Sequence, residues 1–455
     1  MKNERFSSQL GFVLTAAGCA IGLGNIYRFP YLCGQYGGAI FVLIYICCLV
    51  LLAVPLVSME VAVGRGSRHS PAKALQVLRP DKPVWRVAQI PQYLGNYIFQ
   101  WFYTVITAQM LYFMGASLFG TLNGLNAAEL QALSDNLNQN PVLLGGLTVV
   151  VILAGFGVCL GGLQGGVERA GKIMLSILFV MLIALAVYSV TLSGASEGLH
   201  FYLSPNIGNI EDSGVYETVS AAFGQVFFSV GAGTGSLCVF GKYMSSDYRV
   251  SGQAIKVISL DTFVALTAGL IVFPACFTYG LEVNAGPSLL FDTMATVFNN
   301  MTGGRWWGTL FFLFMVFAAL STVLGVCENI LAMVRELTGL SRPKGALLCG
   351  VGIFLLALTT ALGYSVLHFQ PFAAGTAWLD LWDFIVSNNI LPLGSLVLAL
   401  FCCNSFGWGW DAFVQEANTG KGLKVQPWMK PIFRFVVPAA IAFIYIYGMA
   451  TFAWN

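Results

Sequence analysis

Apolar residues run along this chain in long stretches, separated by short polar segments, from about Leu10 to the end. Eleven stretches can be delimited: 10–31, 37–64, 87–120, 142–160, 168–193, 217–244, 252–281, 306–335, 345–364, 381–408 and 431–454. Each is near or above the ~20 residues a helix needs to cross a bilayer, and the longest demand tilt or a break. The pattern predicts an all-α integral membrane protein with eleven transmembrane helices, one membrane domain and no soluble domain. The longest inner connection, 65–86, is basic and contains Pro71, Pro80 and Pro83. Segment 194–216 reads as a loop because Gly, Ser, Asn and Pro punctuate it. Segment 282–305 is amphipathic through Leu289, Leu290, Phe291, Met294, Val297 and Phe298, which predicts short helices over an outer vestibule.

Two spans carry glycine clusters at mid-depth. Residues 18–25 read GCAIGLGN, with Gly18, Gly22 and Gly24, and residues 229–235 read SVGAGTG, with Gly231, Gly233 and Gly235. Each glycine costs a helix interior about 1 kcal/mol relative to alanine. Close helix packing through small residues is one explanation. Two clusters five spans apart, in the first and sixth helices, point instead to an inverted repeat with paired broken helices and a midplane binding site. A break frees peptide groups, which membranes tolerate only where protein, ions or water satisfy them. Half-helix N-termini suit a carboxylate, and freed carbonyls suit Na⁺ or an ammonium group.

Composition agrees: 57% of residues are hydrophobic and 9% charged, against roughly 25% charged in soluble domains. With the N-terminus inside, only Arg28 and Arg305 of the 22 Lys and Arg residues fall outside. Outer loops carry Glu129, Asp135, Glu197, Glu211 and Asp212, and Asn455 ends outside. The expected location is a membrane, with lipid as solvent. A net charge of +2 gives no reason to expect a nucleic-acid partner. LTAAGC (14–19) loosely matches a lipoprotein cleavage site, but the apolar run continues past Cys19 and ten more spans follow. The eleven cysteines lie mostly in apolar spans without CxxC pairs, as packing residues do. His69, His200 and His368 are scattered, so no catalytic set for an intramembrane enzyme is visible.

Several runs resemble the neurotransmitter:sodium symporter family, whose structural prototype is LeuT. They are LGFVLTAAGCAIGLGNIYRFPYLCGQYGG (10–38), PLVSMEVAVGR (55–65), GGVERAGK (165–172), FGQVFFSVGAGTG (223–235), FAALSTVLGVCENI (317–330) and LDLWDF (379–384). The resemblance covers essentially the whole chain. It implies a 5+5 inverted repeat, about 8–195 and 216–410, plus an extra helix at about 431–454. It also implies sodium-coupled symport by alternating access rather than a channel, an enzyme or a sensor.

The resemblance assigns sodium site one to Ala20, Asn25, Ser229 and Asp261, and sodium site two to Gly18, Ile21, Ala318, Ser321 and Thr322. Oxygen ligands of these kinds suit a hard cation. Asp261 is an ionisable residue inside an apolar span. Its fixed charge beside site one would replace the chloride that animal relatives need. Monoamine carriers have Asp where this chain has Gly22, so the substrate is expected to bring its own carboxylate to the Leu23 and Gly24 amides and the Tyr103 hydroxyl. Its ammonium would meet carbonyls of Ala20, Phe228, Ser229 and Gly231. Cys19, Phe99, Tyr103, Phe228, Thr234, Thr322 and Val326 would line the side-chain pocket, whose small Gly231 and Thr234 favour a large hydrophobic or aromatic amino acid.

Arg28 and Asp383 match the family's outer gate, with Glu336 and either Arg5 or Lys2 at the inner one. Relatives place Arg three residues before a Trp, where this chain has Asn3 and Phe6. Glu60 matches a position expected to brace the first-helix break. Many relatives have Gly followed ten residues later by Pro in the fifth helix, but here Gly166 is followed by Ser176, which keeps its N–H.

Overall fold

A computed structural model describes residues 4–206, 208, 214–281, 294–299, 301–372 and 376–451. Broken helix one comprises α1 (Gln9–Ala20) and α2 (Gly24–Gln35), bent by 62°. Next come α3 (Ala39–Ser67), α4 (Ile90–Leu118), α5 (Ala127–Asn138), α6 (Pro141–Leu160), α7 (Leu163–Ser189) and α8 (Ala195–Leu203). The second broken pair is α9 (Val215–Val230) and α10 (Ser236–Tyr243). Then follow α11 (Val250–Tyr279), α12 (Met294–Asn299), α13 (Gly304–Thr338), α14 (Arg342–Gly363), α15 (Trp378–Cys403), α16 (Trp410–Ala417) and α17 (Pro427–Thr451).

Among the described residues, eight helices are long and apolar enough to cross a membrane, and the bent α1–α2 pair makes a ninth. The other two expected passes fall on α4 and on α9 with α10. Helix α4, about 44 Å long by its 29 residues, carries buried Gln92, Asn96, Gln100, Thr104 and Thr107 that dilute its hydropathy. Neither α9 nor α10 spans alone, because residues 231–235 interrupt them.

Helix α13 is the most buried span and α17 the most exposed. α13 lies against α1, α4, α6 and α7, and α10 lies along α3. That last contact is backbone to backbone. A Cβ on Gly64 would strike the Cys238 carbonyl, and one on Gly241 the Val61 carbonyl. Segment 194–216, expected to be a loop, contains α8, which lies on α11 because Gly198 lets it approach the Phe273 carbonyl. Of the expected vestibule helix, Met294, Val297 and Phe298 sit buried in α12, whereas Leu289, Leu290 and Phe291 lie outside the described residues. So do Lys2, Asn3, Glu211, Asp212 and Asn455. Helix α5 is capped by reciprocal bonds of Asn126 and Glu129, an arrangement readable as Asn-x-x-Glu.

Candidate functional site

Both glycine clusters are breaks. α1 stops at Ala20, where Ile21 turns extended (ψ 105°), and α2 restarts as a π-helical turn over Gly24–Arg28. In the other pair, Gly231 (φ 59°), Gly233 (φ 93°) and Gly235 (φ 81°) take left-handed conformations open mainly to glycine. Glu60 of α3 holds this second break. Its two carboxylate oxygens accept from the Gly233 and Leu237 amides, each at 2.9 Å. Glu60 was expected to brace the first-helix break, but it braces the sixth, because α3 lies against α10.

The breaks face one cavity, lined by all thirteen substrate-site residues expected from the sequence. It is a narrow slot between the two breaks. The Leu23 amide donates to the Tyr103 hydroxyl at 3.1 Å. A Cβ on Gly22 would lie 2.6 Å from that hydroxyl and 2.8 Å from Thr322 Oγ1. A Cβ on Gly24 would lie 2.5 Å from Phe228. Phe99 stacks on Tyr103 with centroids 4.6 Å apart. Gly231 has open space where its side chain would be.

Two oxygen clusters flank the slot. Asn25 Nδ2 donates to Asp261 Oδ1 (2.8 Å), Asp261 O (3.0 Å) and Ser229 Oγ (3.3 Å), and Ser229 Oγ donates to Asp261 Oδ2 (2.5 Å). All three residues are buried, and Ala20 lines the slot beside them. In the second cluster Ser321 Oγ donates to Ala318 O (2.8 Å) and Ile21 O (3.4 Å). Thr322 Oγ1 donates to Ile21 O (3.1 Å) and Ala318 O (3.5 Å). A Cβ on Gly18 would lie 3.7 Å from Ser321 Cβ. Carboxylate, carbonyl and hydroxyl oxygens converging in this way suit a hard monovalent cation.

Sequence reasoning missed Asn96, Val230, Ser236, Leu237, Val386 and Leu391 in the lining. Asn96 Nδ2 donates to Thr234 O (2.7 Å), and Ser236 Oγ donates to Asn96 Oδ1 (2.8 Å), fixing the second break. A signal existed: Gln92, Asn96, Gln100 and Thr104 form a four-residue-spaced polar stripe in an apolar span.

Residues 3–130 and 127–454 match the profile described as Sodium:neurotransmitter symporter family. The chain belongs to that family. It is 32% identical over 453 residues to the sodium-dependent transporter YhdH of Bacillus subtilis, covering 98% of this chain and 97% of that protein. It is 28% identical to the sodium-dependent serotonin transporter of Drosophila melanogaster, covering 78% of this chain and 64% of that protein. The crystal structure of MhsT in complex with L-phenylalanine superposes with a TM-score of 0.86 at 34% identity, covering 97% of this chain and 99% of that one. The all-helical fold is thus the LeuT-like one, and the protein is a membrane-embedded sodium-coupled symporter rather than an enzyme.

In this symporter the gate residues expected from the sequence take the following partners. Arg28 and Asp383 form no ion pair among the described residues. The Arg28 guanidinium lies 4.3 Å over the Phe228 ring, and Asp383 accepts from Ser387 at 2.7 Å. At the inner end, Glu336 is paired not with Arg5 but with Lys242 of α10 at 3.0 Å, and it also accepts from the Ser70 amide at 2.9 Å. The Arg5 carbonyl accepts from Gln164 instead, because Phe6, packed against Phe12, Phe240 and Tyr243, turns the tail toward α7. Arg342 ties the tail further, bonding Glu4 at 3.2 Å and buried Glu328. Helix α7 stays wound across Gly166 and Ser176, with a π-helical start at Leu163–Glu168.

Proposed function

We propose that this chain carries an α-amino acid with a large hydrophobic or aromatic side chain into a bacterial cell, with two sodium ions and without chloride. The observation that carries the reading is Gly22. Any side chain there meets Tyr103 and Thr322, so position 22 offers no anion to a substrate amine. A zwitterion supplies that anion, and the Leu23 and Gly24 amides with the Tyr103 hydroxyl are suited to receive it. Its ammonium goes to the carbonyls of Ala20, Phe228, Ser229 and Gly231. Its side chain goes between Cys19, Phe99, Phe228, Thr234 and Val326, with room over Gly231. The phenylalanine bound to MhsT agrees with such a substrate.

Sodium one goes to Ala20, Asn25, Ser229 and Asp261 with the substrate carboxylate, and sodium two to Gly18, Ile21, Ala318, Ser321 and Thr322. The Asp261 carboxylate, inside the first cluster, supplies the negative charge that would otherwise come from chloride. Both ions lock the broken helices, after which Arg28 and Asp383 close outside and the Lys242–Glu336 contact opens inside. The inverted repeat relates residues 8–195 to 216–410 with 431–454 outside it, and the N-terminus faces the cytoplasm.

Each ion moved through ~100 mV yields about 2.3 kcal/mol, and a tenfold gradient adds about 1.4 kcal/mol. Two ions give roughly 7 kcal/mol, which allows about 10⁵-fold accumulation of a zwitterion. The test is uptake of the twenty labelled amino acids into proteoliposomes with an inward sodium gradient. Gradient-driven uptake of Phe, Trp, Tyr, Leu or Met, unchanged when gluconate replaces chloride, is expected. Uptake that collapses in gluconate, or a preference for amines lacking a carboxylate, would sink it.

A further inference from the structure

Beyond the second oxygen cluster, the interface of α1, α7 and α13 holds polar side chains that the transport cycle above does not use. Thr15 and Asn329 are both buried, and neither Thr15 Oγ1 nor either end of the Asn329 amide has a hydrogen-bond partner among the described residues. Burying an amide with both ends unbonded costs stability. Sequences keep such local conflicts mainly where function needs them.

Their placement is specific. Thr322 meets the Ile21 carbonyl at 3.1 Å, and further along α13 a Cβ on Gly325 would lie 2.6 Å from Cys19 Sγ. Advancing on α13 therefore means going back on α1, so the two helices are antiparallel. Asn329 is one turn past Gly325, and Thr15 one turn before Cys19, which sets the two unbonded side chains at one level. Gly171 brings α7 against this level, since a Cβ there would sit 3.6 Å from Thr15 Oγ1, at ordinary contact distance. One turn further back, Gly11 abuts the Glu168 carboxylate of α7. That carboxylate accepts from the Ser7 amide at 2.9 Å, from the Ser7 hydroxyl, and from Lys172 at 2.6 Å, where the chain reaches solvent.

We propose that Thr15 and Asn329 form a relay site for a partly hydrated sodium ion, between the Ile21–Ala318–Ser321–Thr322 cluster and Glu168. The inference rests on the sodium reading given above. Leaving the cluster, the ion gains the Thr15 hydroxyl and the Asn329 amide oxygen while water enters behind it. Glu168 receives it when the tail lifts Ser7 away. The relay supplies a polar path through a fifth helix that keeps Ser176 rather than proline and stays wound.

The test uses the full chain in proteoliposomes with Asn329→Leu, Thr15→Val and Asn329→Ser. Three readouts are taken: maximal uptake rate of the labelled amino-acid mixture, sodium concentration for half-maximal ligand binding, and the thermal unfolding midpoint. Expected for Asn329→Leu is a maximal rate lowered roughly tenfold, the scale of one lost hydrogen bond to an ion. Its half-saturating sodium stays unchanged and its unfolding midpoint is equal or higher. Thr15→Val follows in the same direction, and Asn329→Ser recovers most of the rate. A wild-type rate in Asn329→Leu overturns the relay. So does a lowered unfolding midpoint in both apolar variants, which would mean the polar groups are structural, and that readout needs no transport. Failure of the wild-type chain to show sodium-driven uptake would instead count against the symport reading.

Discussion

Replacing Gly22 with alanine isolates the carboxylate subsite from the backbone around it. Gly22 is not among the positive-φ glycines, so alanine brings no backbone strain there. The added Cβ would sit 2.6 Å from Tyr103 Oη and 2.8 Å from Thr322 Oγ1, where ordinary contact is about 3.4 Å. Tyr103 must therefore retreat by several tenths of an ångström and loses its 3.1 Å bond from the Leu23 amide. A buried donor left unbonded costs about 1–3 kcal/mol, and the substrate carboxylate loses its hydroxyl partner in the same movement. The expected result for Gly22→Ala is roughly 10- to 100-fold weaker sodium-dependent amino-acid binding. The assay is ligand binding to purified protein by scintillation proximity, with thermal unfolding measured alongside. Gly231→Ala is the counterpart, with open space but φ 59°, so its cost falls on the break rather than on the pocket. Affinity within twofold of wild type for Gly22→Ala would refute the reasoning. So would a loss accompanied by general unfolding.

Glu60→Gln puts an amide NH₂ opposite the Gly233 or Leu237 N–H, so the unfolding midpoint should fall by several degrees in a thermal melt, from a cost of about 1–3 kcal/mol. Lys242→Met removes the cation that meets Glu336 and should bias the protein toward inner opening, raising the labelling rate of a cysteine placed at Ser245 several-fold. Phe228→Ala removes the ring beneath the Arg28 guanidinium and one wall of the slot, so half-saturating substrate in uptake should rise about tenfold or more.

Much of the site was readable residue by residue, because it is local. Gly18, Gly22 and Gly24 in one apolar run and Gly231, Gly233 and Gly235 in another announce broken helices whatever they pack against. The roles of Asn25 and Ser229 beside them came from the family resemblance. Asp261 stands out as a lone carboxylate in a hydrophobic span. The polar stripe on α4 was equally visible, yet Asn96 went unremarked because a single amide in a long helix has many partners open to it.

Pairings between distant charges were not readable. Glu336 could have met any inner cation, and only the packing of α10 brings Lys242 to it while Phe6 steers Arg5 away. Glu60 was read by resemblance as a brace for the first break, and the glycine-to-carbonyl contact of α3 with α10 decides that it serves the second. The amino-acid order alone determined the solvent, the helical class and the position of both interruptions, because hydropathy and glycine act over a few residues. Which charge closes on which, and that the buried Asn329 amide is left unbonded among the described residues, was decided only by tertiary structure. Those outcomes depend on distances between helices that are far apart in the chain, and no local preference encodes them.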